Sequence, residues 1–204
     1  MSQRFKPLAK IALPLLSIAL ALLTWLIWSG GELALSLEHA PLAWLQCMVL
    51  TACAITAFHL IQFNQKNRIF WRLTACALLL SALDEKFMFH ENVQVFIYSH
   101  YLTPSQQTTF FIHAITFVYA AGGLFYLHLL RRKVHSYTFL TLCLAVLLGC
   151  AAISLDIAFD SVHIQAYEEV LEYLAETVFL IGLSDELQQH LANQRVGQSP
   201  NSPA

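Results

Sequence analysis

Six long runs of apolar residues constrain this chain more than any other feature of its sequence. The hydrocarbon core of a bilayer is roughly 30 Å thick, so a helix needs about 20 apolar residues to cross it. Each run approaches or exceeds that length. The predicted spans, numbered one to six, cover residues 11–28, 42–63, 69–91, 110–130, 137–157 and 167–183.

The composition excludes an ordinary soluble globule. Hydrophobic residues make up 57% of the chain and charged residues only 12%, which is too little polar surface to face water on all sides. The first run is longer than the 7 to 15 apolar residues of a signal peptide, so we interpret it as a spanning helix. The prediction is an all-α bundle of about six transmembrane helices over residues 1–192, with a disordered cytoplasmic tail at 193–204.

The basic residues predict the orientation of this bundle. Lysine and arginine are retained in cytoplasmic loops close to the helix ends. Of the eleven basic residues, all except Lys86 fall on one side of the six predicted spans. These ten residues are Arg4, Lys6, Lys10, Lys66, Arg68, Arg72, Arg131, Arg132, Lys133 and Arg195. We therefore expect both termini in the cytoplasm and the protein in the inner membrane.

The acidic residues converge on the opposite side. Nine of the thirteen lie between Asp84 and Glu91 or between Asp156 and Glu176. Spans three, five and six bring these segments to the periplasmic half of the bilayer. On a helix, residues three, four or seven apart share a face. Three such stripes are expected: Asp84 with Glu91, Asp156 with Asp160, and Glu169 with Glu172 and Glu176.

Ionised carboxylates inside a membrane cost about 2.5 to 3.5 kcal/mol each at the helix centre, so they usually have a function. Carboxylates with one or two histidines are ligands for divalent metals, with zinc favoured and iron or manganese as alternatives. The predicted metal ligands are Asp84, His90, Glu91, His113, Asp156 and Glu169. Either Glu172 or Glu176 would act as the general base on a metal-bound water. Whether Glu85, Asp160 and Glu168 join the site is open.

The leading functional hypothesis is a metal-dependent hydrolase that acts on a lipid or a membrane-associated substrate. A dimetal oxidoreductase ranks lower, since the chain lacks the two E-x-x-H pairs of ferritin-like bundles. A cation or proton transporter is the alternative from another class. A third is an assembly or sensory subunit stabilised by a bound metal. No basic patch beyond the cytoplasmic flanks exists to bind nucleic acid.

Two motifs carry a resemblance to known proteins. The pairing of D-E-x4-H-E, from Asp84 to Glu91, with E-E-x-x-E, from Glu168 to Glu172, resembles uncharacterised bacterial multipass membrane proteins over spans three to six. The chain is also loosely similar to ceramidase-like membrane hydrolases, which implies zinc held by acidic and histidine side chains. It departs from that family because span six contains no histidine.

Overall fold

The computed structural model describes Ile18 and residues 41–101, 114–158 and 162–197. All regular structure in this part of the chain is helical. The six helices are numbered here in chain order, and a single 3-10 turn, Gln65–Asn67, joins the first two. They are α1 Pro41–Phe63, α2 Arg68–Phe87, α3 Phe89–Tyr101, α4 Ala114–Leu130, α5 Ser136–Ala158 and α6 Val162–Gly197.

Two of the described helices are long and apolar enough to cross a membrane by themselves, and the prediction of six spans is shown only to that extent. The two segments are Leu42–Phe63 in α1 and Ser136–Leu155 in α5. The other predicted spans differ for identifiable reasons. Five charged side chains interrupt α2, acidic residues interrupt α6, and the apolar part of α4, Ala120–Leu130, is short. Predicted span one lies outside the described residues except for Ile18.

The surface of these helices is apolar. On α1, Val49, Cys53, Ala57 and Leu60 are buried, as expected for one face of a helix in a bundle. The opposite face exposes four large apolar side chains by 55% to 65%: Trp44, Met48, Ile55 and Phe58. On α5, Leu140, Leu144 and Leu147 are exposed in the same way. Contiguous apolar surface of this kind is what lipid-facing helices present.

Helix α1 lies at the centre of the described bundle. It packs against α2 on one side and α6 on the other, while α5 packs against α6 and, less extensively, against α4. An aromatic cluster joins the start of α2, the last turns of α4 and the middle of α6, because the Tyr126 ring stacks on Phe70 at 5.5 Å and lies 6.1 Å from Phe179.

The two basic turns lie at the same end of the bundle, as the predicted orientation requires. Lys133, in the turn between α4 and α5, donates a hydrogen bond of 3.1 Å from Nζ to Oδ1 of Asn67 in the turn between α1 and α2. Residues 66 positions apart in sequence are therefore in direct contact. This contact fixes which helix ends belong together.

The helix predicted over residues 69–91 is broken at Met88. This residue has a left-handed conformation with φ of 53°, and its N–H bonds to the carbonyl oxygen of Asp84 at 2.6 Å. The side chain of Asn92 donates to the carbonyls of Phe87 and Met88, at 3.2 and 2.8 Å, which satisfies the end of α2. The shared stripe expected for Asp84 and Glu91 assumed one continuous helix, and this break removes its basis.

Helices α5 and α6 approach closely at Gly182. A Cβ atom at this position would lie 2.8 Å from Cδ2 and 3.0 Å from Cγ of Leu142. Because Leu142 is completely buried, it has little room to move away. The absence of a side chain at residue 182 is thus part of the contact between these two helices.

We expect Gly182→Ala to lower the stability of the protein and Gly122→Ala to raise it. Overpacking costs about 1 to 3 kcal/mol, more than the roughly 0.5 to 1 kcal/mol that alanine gains over glycine in a helix. A Cβ at Gly122 meets nothing within 4 Å. Gly122→Ala should therefore gain the helix propensity of alanine without any cost of overpacking. Thermal unfolding in detergent measures both, and equal unfolding temperatures for the two variants would contradict the close contact.

Candidate functional site

Helices α1, α2 and α6 bring one amide and four carboxyl groups together, and we call this set the outer carboxyl cluster. It lies at the opposite end of α1 from the basic turn, since about 27 Å of helix separates residue 46 from residue 64 at 1.5 Å per residue. Its members are Gln46 from α1, Glu85 from α2, and Glu169, Glu172 and Glu176 from α6. The position of α1 between α2 and α6 makes this convergence possible.

The side chain of Gln46 is completely buried and lies between two carboxyl groups. Amide nitrogen and oxygen are assigned from their hydrogen-bond partners. The satisfied orientation has the nitrogen donating to Oε2 of Glu169 and to the carbonyl oxygen of Leu42, both at 3.2 Å. The other amide atom, the oxygen, then lies 3.5 Å from Oε2 of Glu172.

This arrangement favours a proton on Glu172. An amide oxygen can only accept a hydrogen bond, and an ionised carboxylate can only accept as well. A protonated carboxyl group can donate, so a proton on Glu172 would replace the repulsion between two acceptors with an attraction, at a separation of 3.5 Å that is longer than a hydrogen bond between two oxygens. Glu169 receives the amide N–H and is suited to the ionised form. Gln46 therefore distinguishes two glutamates that are only three residues apart.

Glu176 lies deeper along the same face of α6. Its Oε2 atom is buried and has no hydrogen-bond partner among the described residues. The carboxyl groups of Glu85, Glu172 and Glu169 are all close enough to act on it electrostatically. Like charges and the loss of water both disfavour an ionised carboxyl group. A proton or a cation at this position would relieve the conflict.

The nearest basic side chain of α2, Lys86, is engaged with an aromatic ring. Its Nζ atom lies 4.0 Å from the centre of the Trp44 ring, a distance at which a cation and an aromatic face attract each other. Lys86 is also the one basic residue predicted away from the cytoplasmic side. Its contact with Trp44 accounts for its position next to the outer carboxyl cluster.

The predicted site residues are placed as follows. Glu169, Glu172 and Glu176 lie near one another, and Asp84 is half-buried in the last turn of α2. The side chains of His90, Glu91 and Asp156 and the whole of His113 fall outside the described part of the chain, as does Asp160. In the described part, no three histidine, cysteine or acidic side chains are arranged to hold a metal ion.

Sequence reasoning left one member of this cluster open and did not identify another. Glu85 was not assigned to the site because it points away from Asp84 on a helix, yet it is Glu85 that acts on Glu176. Gln46 was not singled out, because a neutral amide in an apolar run gives no electrostatic signal. Its spacing along α1 says nothing about the two glutamates that it contacts on α6.

A second polar group of residues lies at the basic end of the bundle, and we call it the inner histidine cluster. Glu186 is only 1% exposed. Its Oε2 accepts a hydrogen bond from the backbone N–H of His135 at 3.1 Å and lies 3.1 Å from Nδ1 of that residue. Its Oε1 lies 3.2 Å from Nε2 of His190. One buried carboxyl group thus joins two imidazoles from different parts of the chain.

The neighbouring Asp185 strengthens the attachment of α6 to the start of α5. Its Oδ2 accepts hydrogen bonds from Oγ1 of Thr138 at 3.0 Å and from Nε2 of Gln189 at 2.6 Å. Acidic groups at a helix N-terminus are favourable because the helix dipole is positive there. The spacing of Glu186 and His190 by four residues is the one signal of this cluster in the sequence.

We expect Glu186→Ala to lower the free energy of unfolding by about 0.5 to 1.5 kcal/mol, because the backbone N–H of His135 loses its hydrogen bond to this carboxyl group. Glu186→Gln keeps an acceptor oxygen and should lose less. Chemical unfolding of both variants in detergent micelles is the measurement. Unchanged stability in Glu186→Ala would show that this cluster does not contribute to packing of α5 against α6.

A family described as a domain of unknown function, DUF8692, matches residues 16–187, and the chain belongs to this family. The match covers most of the chain, including every member of the outer carboxyl cluster. The chain matches no curated protein and no solved structure. The similarity to ceramidase-like hydrolases stays a prediction.

Proposed function

We propose that this protein moves protons across a membrane through the outer carboxyl cluster, alone or coupled to a cation. The observation that carries the proposal is the geometry of Gln46, which lies between Glu169 and Glu172 and suits one ionised and one protonated carboxyl group. Groups that exchange a proton while buried in apolar surroundings are characteristic of proton pathways in membranes.

The proposed setting is a bundle of six spans in the inner membrane, with both termini in the cytoplasm and the outer carboxyl cluster toward the periplasm. The exposed apolar faces of α1 and α5 support a lipid environment. The contact of Lys133 with Asn67 supports a common cytoplasmic side for the two basic turns. In this setting Glu172 and Glu176 lie inside the membrane rather than in water.

Helix α6 connects the two polar clusters. Glu176 and Glu186 are ten residues apart, or roughly 15 Å along the helix axis. The hydroxyl groups of Tyr173 and Thr177 are buried on the same stretch of α6 and interact with each other, but neither has a hydrogen-bond partner of good geometry among the described residues. Buried polar groups of this kind are commonly satisfied by internal water. Of the two hydroxyls, Thr177 lies on the Glu186 side of Glu176, and Thr177 together with internal water would carry a proton from Glu176 toward Glu186.

The metal-dependent hydrolase predicted from the sequence requires a different kind of site. It needs zinc, iron or manganese held by residues that include His90, Glu91, His113 and Asp156, and a lipid or membrane-associated substrate. The four glutamates and one amide of the outer carboxyl cluster do not require a metal to be satisfied. A proton at Glu172 or Glu176 relieves the conflict between these groups, which supports proton transfer through the outer carboxyl cluster.

The direct test is proton entry into liposomes that contain the purified protein and a pH-sensitive dye, driven by a potassium diffusion potential. The wild-type protein should conduct protons faster than protein-free liposomes. We expect Glu172→Gln and Glu176→Gln to slow entry about tenfold or more, since each removes a proton carrier. Glu32→Gln is the matched control, because it makes the same change in the loop predicted between spans one and two, away from the outer carboxyl cluster.

Equal rates in wild type, in all three variants and in empty liposomes would contradict the proposal. Metal analysis of the same preparations distinguishes the alternatives. One divalent metal per chain in the wild type, lost from an Asp84→Ala and Glu172→Ala double variant, would favour the hydrolase. Loss of folding yield as the sole effect of these substitutions would favour an assembly or sensory subunit.

A further inference from the structure

The two basic turns line an open, shallow pocket that the proposed function does not use. It has a volume of about 410 Å³, within the range of sites that bind small ligands. It is lined by the 3-10 turn and the start of α2 on one side and by Lys133 on the other. We call it the loop pocket. Its walls come from two turns that are far apart in sequence and meet at one end of the bundle.

The loop pocket is strongly positive. Three of its lining side chains are basic, namely Lys66, Arg68 and Lys133, and none of its described lining residues is acidic. Lys66 and Arg68 are exposed, so they are free of the cost of burial. Cations that converge on a concave surface attract an anion more strongly than the same cations spread over a flat one.

Lys133 is held in place at the edge of the pocket. Its Nζ atom donates to Oδ1 of Asn67 at 3.1 Å and lies 5.0 Å from the centre of the Phe70 ring. An ammonium group has three donors, so the contact with Asn67 leaves others for a ligand. A lysine fixed by two neighbours loses less freedom on binding than a mobile one.

An apolar wall adjoins these charges. Ile69 is 74% exposed and lines the pocket together with Phe70. In the proposed orientation this side of the bundle meets the cytoplasmic headgroup layer of the membrane. Basic pockets between helices on that side are suited to the phosphate groups of anionic lipids, and an exposed isoleucine is suited to the start of an acyl chain.

We infer that the loop pocket binds a phosphate group, carried by an anionic lipid headgroup or present as free phosphate. Arg68 would bind it through its planar guanidinium group, which matches two phosphate oxygens at once. Lys66 and Lys133 would supply the remaining positive charge. Ordinary cytoplasmic retention of basic residues explains their presence but requires neither a pocket nor a fixed Lys133.

Binding can be measured on the full chain in detergent from the rise of its unfolding temperature with ligand concentration. The probes are short-chain phosphatidic acid, the diacylglycerol with the same acyl chains, and inorganic phosphate. We expect phosphatidic acid to bind and diacylglycerol not to bind. The variant Arg68→Gln with Lys133→Gln should bind about twenty-five-fold more weakly, since each charge near a lipid phosphate contributes about fivefold.

The matched control is Arg131→Gln with Arg132→Gln, which removes two charges from the same turn without touching the pocket lining. It should bind as the wild type does. Because Lys133 also contacts Asn67, the exposed Lys66→Gln serves as a milder second variant, with an expected loss of about fivefold. Phosphate binding with the same variant pattern would assign the site to free phosphate, and binding of phosphatidic acid alone would assign it to a lipid headgroup.

Two results would overturn the inference. Diacylglycerol that stabilises the protein as well as phosphatidic acid would show that the acyl chains alone are recognised. Equal weakening in the Arg68 and Lys133 variant and in the Arg131 and Arg132 variant would show a general attraction between the basic face and any anion, with no defined site.

Discussion

The packing of α1 against both α2 and α6 is the constraint on which the rest of the structure depends. It places a buried amide, Gln46, against Glu169 and Glu172, and it brings Glu85 within electrostatic reach of Glu176. A buried polar group costs free energy unless it is hydrogen-bonded. Since these groups come from three helices, their mutual satisfaction depends on one particular packing of the bundle.

Helix α1 has one face that packs against other helices and an opposite face that is exposed. Buried Val49 and Cys53 face the neighbouring helices, whereas exposed Met48 and Phe58 face outward. A helix that is apolar on every side is stable only when lipid or protein surrounds it completely. Gln46 is the polar residue of α1 that is completely buried, and its position is set by burial between α2 and α6 as well as by its hydrogen bonds.

Much of this could be predicted from sequence, because hydropathy and helical phase are local properties. The apolar runs predict α1 and α5, and spacings of three and four place Glu169, Glu172 and Glu176 on one face. The break at Met88 could not be predicted in the same way, because a left-handed methionine has no clear sequence signature. It depends on Asn92, whose side chain reaches back to the end of α2.

The residues that contact the site residues could not be predicted from sequence, for a related reason. Phase calculations report which residues share a face of one helix, but not which face another helix presents to it. Glu85 rather than its neighbours acts on Glu176 because of how α2 is rotated against α1. Likewise, the extension of α6 to Gly197 carries Glu186 to His135, a contact between residues 51 positions apart.

The central claim is that a buried carboxyl group in the outer carboxyl cluster holds a proton, and infrared spectroscopy tests it most directly. A protonated carboxylic acid has a carbonyl stretch that is separate from the bands of carboxylates and amides. The wild-type protein should show this band at neutral pH, and Glu172→Gln or Glu176→Gln should weaken it while Glu32→Gln leaves it unchanged. A band that is absent from the wild type, or that persists undiminished in Glu172→Gln and Glu176→Gln alike, would contradict the account.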